Sequence, residues 1–181
     1  MSPFETHKPV LEYALLKQGR SVLEVGGGEA STPLIVKHSA SSLTLENNKE
    51  WYERISGYGD EQHKISYQPN LMLYVIFGLP GYVYGHDYTF SLALVDNDVW
   101  KERCEIVNYM KNNHVAEVIL LHDSFDEHLH RCTECGHKLP EFKYSLNLYP
   151  YLPPNPSQPP TLILSDSVDV TKWEVPGLTV A

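Results

Sequence analysis

Glycines and carboxylates stand in this chain at spacings that suit the grip of a nucleotide-like ligand. Residues 24–32 read Glu24-Val25-Gly26-Gly27-Gly28-Glu29-Ala30-Ser31-Thr32, and Glu46 closes the next apolar run, Ser42 to Leu45. A bend of bare backbone at Gly26 and Gly28 lets a ligand come close without meeting a Cβ. Glu24, just before the bend, can accept from an ammonium directly or through water. Glu46 can accept from both hydroxyls of a ribose. The third glycine of the dinucleotide pattern is replaced by Ser31, which weakens a nicotinamide reading.

More acids gather after two later apolar runs, in Val95-Asp96-Asn97-Asp98-Val99-Trp100 and Leu121-His122-Asp123-Ser124. One reading is helix capping by Asp96 or Asp98 and by Asp123 or Ser124. The other is a divalent-metal site, since hard oxygen ligands such as Asp96 and Asp123 suit Mg²⁺ and His122 can replace one oxygen. His122 can instead be a general base, because imidazole ordinarily titrates near neutrality. A separate cluster, His128 to His137, holds Cys132 and Cys135 at C-x-x-C spacing. It reads either as a zinc knuckle completed by His128, His130 or His137, or as a polar loop with two thiols.

These residues need elements that carry them to one place. Strand-like and helix-like patterns alternate through Ser124, which predicts parallel βαβ units. Helices are expected over Pro9–Lys17, after Ser31 or Thr32 as cap with Pro33 near its start and Leu34, Ile35 and Val36 buried, over Lys49–Ile55 behind Asn47 or Asn48, and over Trp100–Lys111. Strands are expected at Ser21–Val25, Ser42–Leu45, His63–Tyr67, Phe90–Val95 and Glu117–Leu121. Gln68 to Tyr88 reads as a long connection that is functional or hides a short element. Phe142–Tyr149 and Thr161–Leu164 form an antiparallel addition on a sheet edge, joined by a proline-rich loop too long for a tight hairpin. In an open α/β sheet the strand ends share one crevice with the glycine bend.

The span SVLEVGGGEAST…SLTLENNKEWYERI resembles the class I S-adenosylmethionine (SAM)-dependent methyltransferases: their cofactor motif, followed by their ribose acid. The Glu-Asn-Asn-x-x-Trp-Tyr run is similar to the small family labelled methyltransferase domain 24. The resemblance runs from about Thr6 to Ser124. It implies a Rossmann-like methyltransferase sheet, mostly parallel, with helices on both faces. It also implies SAM as cofactor, bordered by Glu24, Gly26, Gly27, Gly28, Ser31, Glu46, Asn47 and Asp96, with His7 in a segment near it.

The strand-end acids also resemble those of metal-dependent macrolide and aminocoumarin sugar O-methyltransferases, which carry Asp-Gly-Asp after the fourth strand and Asp-Asp after the fifth. Carried over, Asp96 and Asp123 are metal ligands and Asp98 the general base. Asn97 stands for the glycine and His122 for the first Asp of the pair, so metal-dependent and metal-free readings both stand.

The length of 181 residues suits one domain over 1–181. Hydrophobic residues at 42% and charged residues at 20% exclude a disordered chain. A formal net charge of −9, with Lys and Arg scattered singly, argues against nucleic-acid binding. No apolar run is long enough to span a bilayer, and Met1–Lys8 lacks the apolar segment of a secretory signal. An odd count of three cysteines does not make a disulfide framework, so a cytoplasmic setting is expected. Cys104 reads as a small core residue.

Tyr74, Tyr82, Tyr84 and Tyr88 suit a sugar ring or pack a long loop. Trp51 covers an adenine or packs in the core. The leading expectation is O-methylation of a small hydroxylated acceptor such as a sugar or glycan. A non-catalytic binding module of the same fold and an NAD-dependent oxidoreductase are the alternatives. A homo-oligomer is open.

Overall fold

Five parallel strands form the centre of the sheet. The computed structural model describes residues 7–79, 89–97, 100–124, 139–149 and 160–180. Strand β1 (Ser21–Val25) lies between β2 (Ser41–Glu46) and β4 (Phe90–Val95); β3 (His63–Tyr67) flanks β2, and β5 (Ala116–His122) flanks β4. Beyond β5 the sheet turns antiparallel: β7 (Thr161–Ser165) pairs with β5, β6 (Tyr144–Tyr149) with β7, and the two-residue β8 (Thr179–Val180) with β6. The order is therefore β3-β2-β1-β4-β5-β7-β6-β8. The expected Rossmann-like sheet with an antiparallel C-terminal pair is what forms.

Central strands buried on both faces must be apolar almost throughout, and β4 and β5 are (FSLALV and AEVILLH). One face packs Leu23, Val25, Ala93, Val95 and Ile119 against Cys104, Val107 and Met110 of helix α5 (Trp100–Asn112). The other packs Val22, Leu92, Leu94, Val118 and Leu120 against helices α1 (Lys8–Gln18) and α2 (Thr32–His38). Side chains alternate between faces along a strand. By that rule Glu24, Glu46 and His122 belong to the α1/α2 face, and Asp96 continues the same alternation one residue past β4.

Helix α3 (Lys49–Ile55) starts where Asn48 accepts from the backbone N–H groups of Glu50 and Trp51, so Asn48 rather than Asn47 is its cap. Ser31 precedes α2 without capping it through its side chain. The connection after β3 does hide an element. Leu71–Leu73 makes one helical turn (α4), capped by Asn70, and Tyr74–Gly78 continues it as a π-turn. Its buried stripe, Leu71, Val75 and Leu79, recurs every fourth residue. Residues 80–88 lie outside the described residues. Strand β6 begins two residues later than expected; Phe142 instead carries the Lys111 ammonium 4.4 Å from its ring centre. Among the described residues no helix is long and apolar enough to cross a membrane.

Candidate active site

The ends of β1, β2 and β4 are tied together at the glycine bend. Gly26 donates to the Leu45 carbonyl at 2.9 Å, and Asp96 donates to the Val25 carbonyl at 2.8 Å. Gly26 has φ +88°, the left-handed region that glycine reaches without strain. A Cβ there would lie 2.5 Å from the Asn97 nitrogen. At Gly27 a Cβ would lie 2.4 Å from Ile55 Cδ1 and 2.8 Å from Thr44 Cγ2. Gly26 is therefore required by the protein's own backbone, ahead of any ligand, and a Cβ at Gly27 would have to displace the Ile55 and Thr44 methyls. Gly26, Glu46 and Asp96 do meet at one edge.

Glu24 is fully buried beneath this bend. Its Oε2 accepts from the hydroxyls of Thr32 and Thr44, each at 2.8 Å, and Thr32 Oγ1 also accepts from Gly28 N–H at 3.1 Å. Oε1 has no hydrogen bond of good geometry, although the nearby Ser31 hydroxyl favours the charged form. Burial, helped by the charge of Glu46, pushes the carboxyl up to about 7 against the pull of the Ser31, Thr32 and Thr44 hydroxyls. Glu46 is also buried, and its Oε1 accepts from the N–H of Asn48, the cap of α3, at 2.6 Å. Asn47 is half-buried beside it. Trp51 is 37% exposed, with the Arg54 guanidinium 5.0 Å from its ring centre, so it is not a core residue. Cys104 is in the core as expected.

At the ends of β4 and β5 the decisive residue is Arg103, which sequence reasoning missed. Its side chain is 5% exposed. The guanidinium donates to the carbonyls of Asn97 and His122, and sits 3.3 Å from Asp96 Oδ1 and 3.4 Å from Asp123 Oδ2. A planar fork with five donors suits that task. The signal was available: several acids at two strand ends require a cation, and an Arg in the first turn of a helix leans back toward its start. The two carboxylates read as Mg²⁺ ligands are thus both paired with Arg103.

His122 is buried; its Nε2 lies 3.2 Å from Asp123 Oδ1 and its Nδ1 3.3 Å from Thr161 Oγ1. Burial, and then the Arg103 charge, hold the imidazole down at about 3. That leaves it neutral and a weak base at neutral pH. Asp123 itself adopts φ +55° at the strand end. His7, the residue before α1, joins the same group: its Nδ1 is 3.8 Å from Asp96 Oδ2, and its ring stands edge-on to His122 at 4.5 Å. Asp98, Cys132, Cys135, His128, His130, His137, Tyr82, Tyr84 and Tyr88 lie outside the described residues. Tyr74 packs partly buried against the core.

No protein-family model matches the chain, and no curated protein matches it by sequence. Solved structures do match. The N-methyltransferase NodS of Bradyrhizobium japonicum superposes with a TM-score of 0.58 at 14% identity, over 92% of this chain and 98% of that one. An O-methyltransferase of Bacillus cereus, in complex with S-adenosylhomocysteine (SAH), gives 0.53 at 16% identity, over 67% of this chain and 57% of that one. An rRNA methylase of Streptococcus thermophilus gives 0.51 at 12% identity, over 88% and 95%.

The chain has the Rossmann-like methyltransferase fold. On that fold the bend at Gly26 and the acid Glu46 occupy the edge where open α/β sheets take their ligands. The methyltransferases it is similar to differ in what they methylate, so the fold alone names no acceptor.

Proposed function

We propose that the protein is a SAM-dependent methyltransferase acting on an oxygen of a small hydroxylated acceptor such as a sugar or glycan. The observation that carries this reading is the meeting of Gly26, Glu46 and Asp96 at one sheet edge of a methyltransferase fold. The residues fit the cofactor by their chemistry. Glu24 is a buried carboxyl ringed by hydroxyls, with Oε1 its less engaged oxygen, which suits an ammonium. Glu46 suits ribose hydroxyls, and Gly26, Gly27, Gly28, Ser31 and Asn47 border the bend between them.

SAM, when bound, supplies a methyl group already electrophilic on sulfonium. The protein's share is alignment of the acceptor and management of its proton. An ammonium next to Glu24 would favour its ionised form and offset the cost of burying that charge. Arg103 holds the ends of β4 and β5 at a fixed spacing through the Asn97 and His122 carbonyls. With His122 held neutral, Asp98 is the better base, and Asp123 orients His122. Mg²⁺ held by Asp96, Asp123 and His122 is disfavoured, because Arg103 takes up one oxygen of each carboxylate and imidazole is a poor donor for Mg²⁺.

Isothermal calorimetry with SAM, followed by methyl transfer to a panel of hydroxylated acceptors, tests this reading. Glu46→Ala is expected to weaken SAM binding about 10- to 100-fold, as loss of a hydrogen bond to a charged group costs roughly 1.5–3 kcal/mol. Failure of the unmodified protein to bind SAM or SAH would overturn the proposal.

A further inference from the structure

We propose that His7, Asp96 and His122 form a binding site for a divalent transition metal ion of the zinc or cobalt type. One ligand atom from each of the three lies within 4.8 Å of the others. They come from separate elements: the residue before α1, the residue after β4 and the last residue of β5. Strand alternation puts Asp96 and His122 on the sheet face that α1 covers, and α1 delivers His7 onto them.

Three ligands spread around one ion at about 2.1 Å stand about 3.4–3.6 Å apart. The widest pair in the trio therefore has to draw in by up to about 1.3 Å, through side-chain rotation on fixed strand ends. Asp96 is already divided between two partners. Its Oδ1 faces Arg103, while its Oδ2 is the oxygen nearest His7. The Thr161 hydroxyl and the Asp123 carboxylate flank the two nitrogens of His122. Ligating imidazoles characteristically have such an outer partner on the nitrogen that does not bind the metal. Arg103 bridges the β4 and β5 ends, so the distance between Asp96 and His122 is set by backbone contacts rather than by loose side chains.

The donor set selects the ion. Two imidazoles and one carboxylate suit borderline ions, whereas Mg²⁺ prefers oxygen donors and retained waters. Three protein ligands leave open coordination positions. An acceptor hydroxyl bound there would have its pKa lowered. That use of the ion rests on the methyltransferase reading; binding of the ion does not.

The test uses the full chain carrying Cys132→Ser and Cys135→Ser, stripped with chelator, so that those two thiolates contribute nothing; Cys104 is buried in the core. Titration with Co²⁺, followed by visible absorption and calorimetry, is expected to show one site per chain. Zn²⁺ is expected to compete and to raise Tm, and Mg²⁺ to do neither. His7→Ala and His122→Ala are each expected to weaken Co²⁺ binding by more than the roughly 10- to 100-fold typical of outer partners, and Thr161→Val by about 10-fold. SAM titration of the same variants, read alongside Tm without metal, separates a lost ligand from a lost fold. His7→Gln serves as the milder second variant. Absence of Co²⁺ binding in the Cys132/Cys135 double variant would overturn the proposal, as would equal affinity in folded His7 and His122 variants.

Discussion

Two corners of the same sheet edge both collect carboxylates, and they manage the charge in opposite ways. At the β1–β2 corner, Glu24 is surrounded by hydroxyls, and burial raises its carboxyl to about 7. At the β4–β5 corner, Asp96 and Asp123 share one buried guanidinium. Hydroxyls solvate a carboxylate without cancelling its charge, whereas a guanidinium cancels it. The first corner therefore keeps an unmet demand for a cation, which an ammonium-bearing cofactor can satisfy. At the second, the guanidinium takes up Asp96 Oδ1 and Asp123 Oδ2 and ties the two strand ends, leaving Asp96 Oδ2 toward His7. Acids at a crevice are thus not equivalent, and their partners decide which oxygens brace and which stay open to a ligand.

The largest effect is expected at the braced corner. Arg103→Met strips both carboxylates and the Asn97 and His122 carbonyls of their donor. Breaking a buried pair from one side costs about 3–5 kcal/mol, to be read by urea unfolding. Arg103→Lys should recover only part of this, because an ammonium lacks the fork. A loss under about 1 kcal/mol for Arg103→Met would dissolve the contrast between the corners.

The next effect separates the corners by pH. The carboxyl of folded Glu24 sits above its unfolded value, so the folded protein holds that proton more tightly. The stability this gives is complete below about pH 4.5 and is lost as pH rises through about 7. A shift of this size corresponds to about 3 kcal/mol. Glu24→Gln should remove this fall, so that unfolding free energies of variant and wild type diverge between pH 5 and 8. The variant should gain relative to wild type as pH rises, and bind SAM more weakly. Parallel pH curves would show that Glu24 stays ionised and that the first corner is not strained.

The smallest effect sharpens the comparison by isolating the cap. Asn48→Ala removes the side-chain acceptor for Glu50 and Trp51 but leaves the backbone N–H that Glu46 accepts. Thermal unfolding should report a loss of about 1 kcal/mol, with the pH dependence assigned to Glu24 unchanged.

Much of this arrangement can be read from the chain itself. The apolar runs Val22–Val25 and Leu92–Val95 end at Gly26 and Asp96, and both ends fall where expected. Asn48 marks the start of α3 because its cap is local. The π-turn after Leu71 was harder, because its every-fourth-residue stripe is interrupted by Tyr74 and Gly78, which do not announce a helix. Arg103, and the partners of His7, were not legible for a different reason. Arg103 belongs to no motif, and although the resemblance set His7 near the site, the residues it meets lie on elements far off in the sequence.

What the sequence determined alone is whatever depends on neighbours along the chain: which runs are strands, where a bend needs glycine, and which ends carry acids. Period, capping and turn chemistry act over a few residues, so they are written locally. The tertiary structure decided which acid faces a hydroxyl, which faces Arg103, and that His7 meets Asp96 and His122. Those pairings depend on strand order and on alternation across the sheet, and charge and burial take their values only once distant strand ends are brought together.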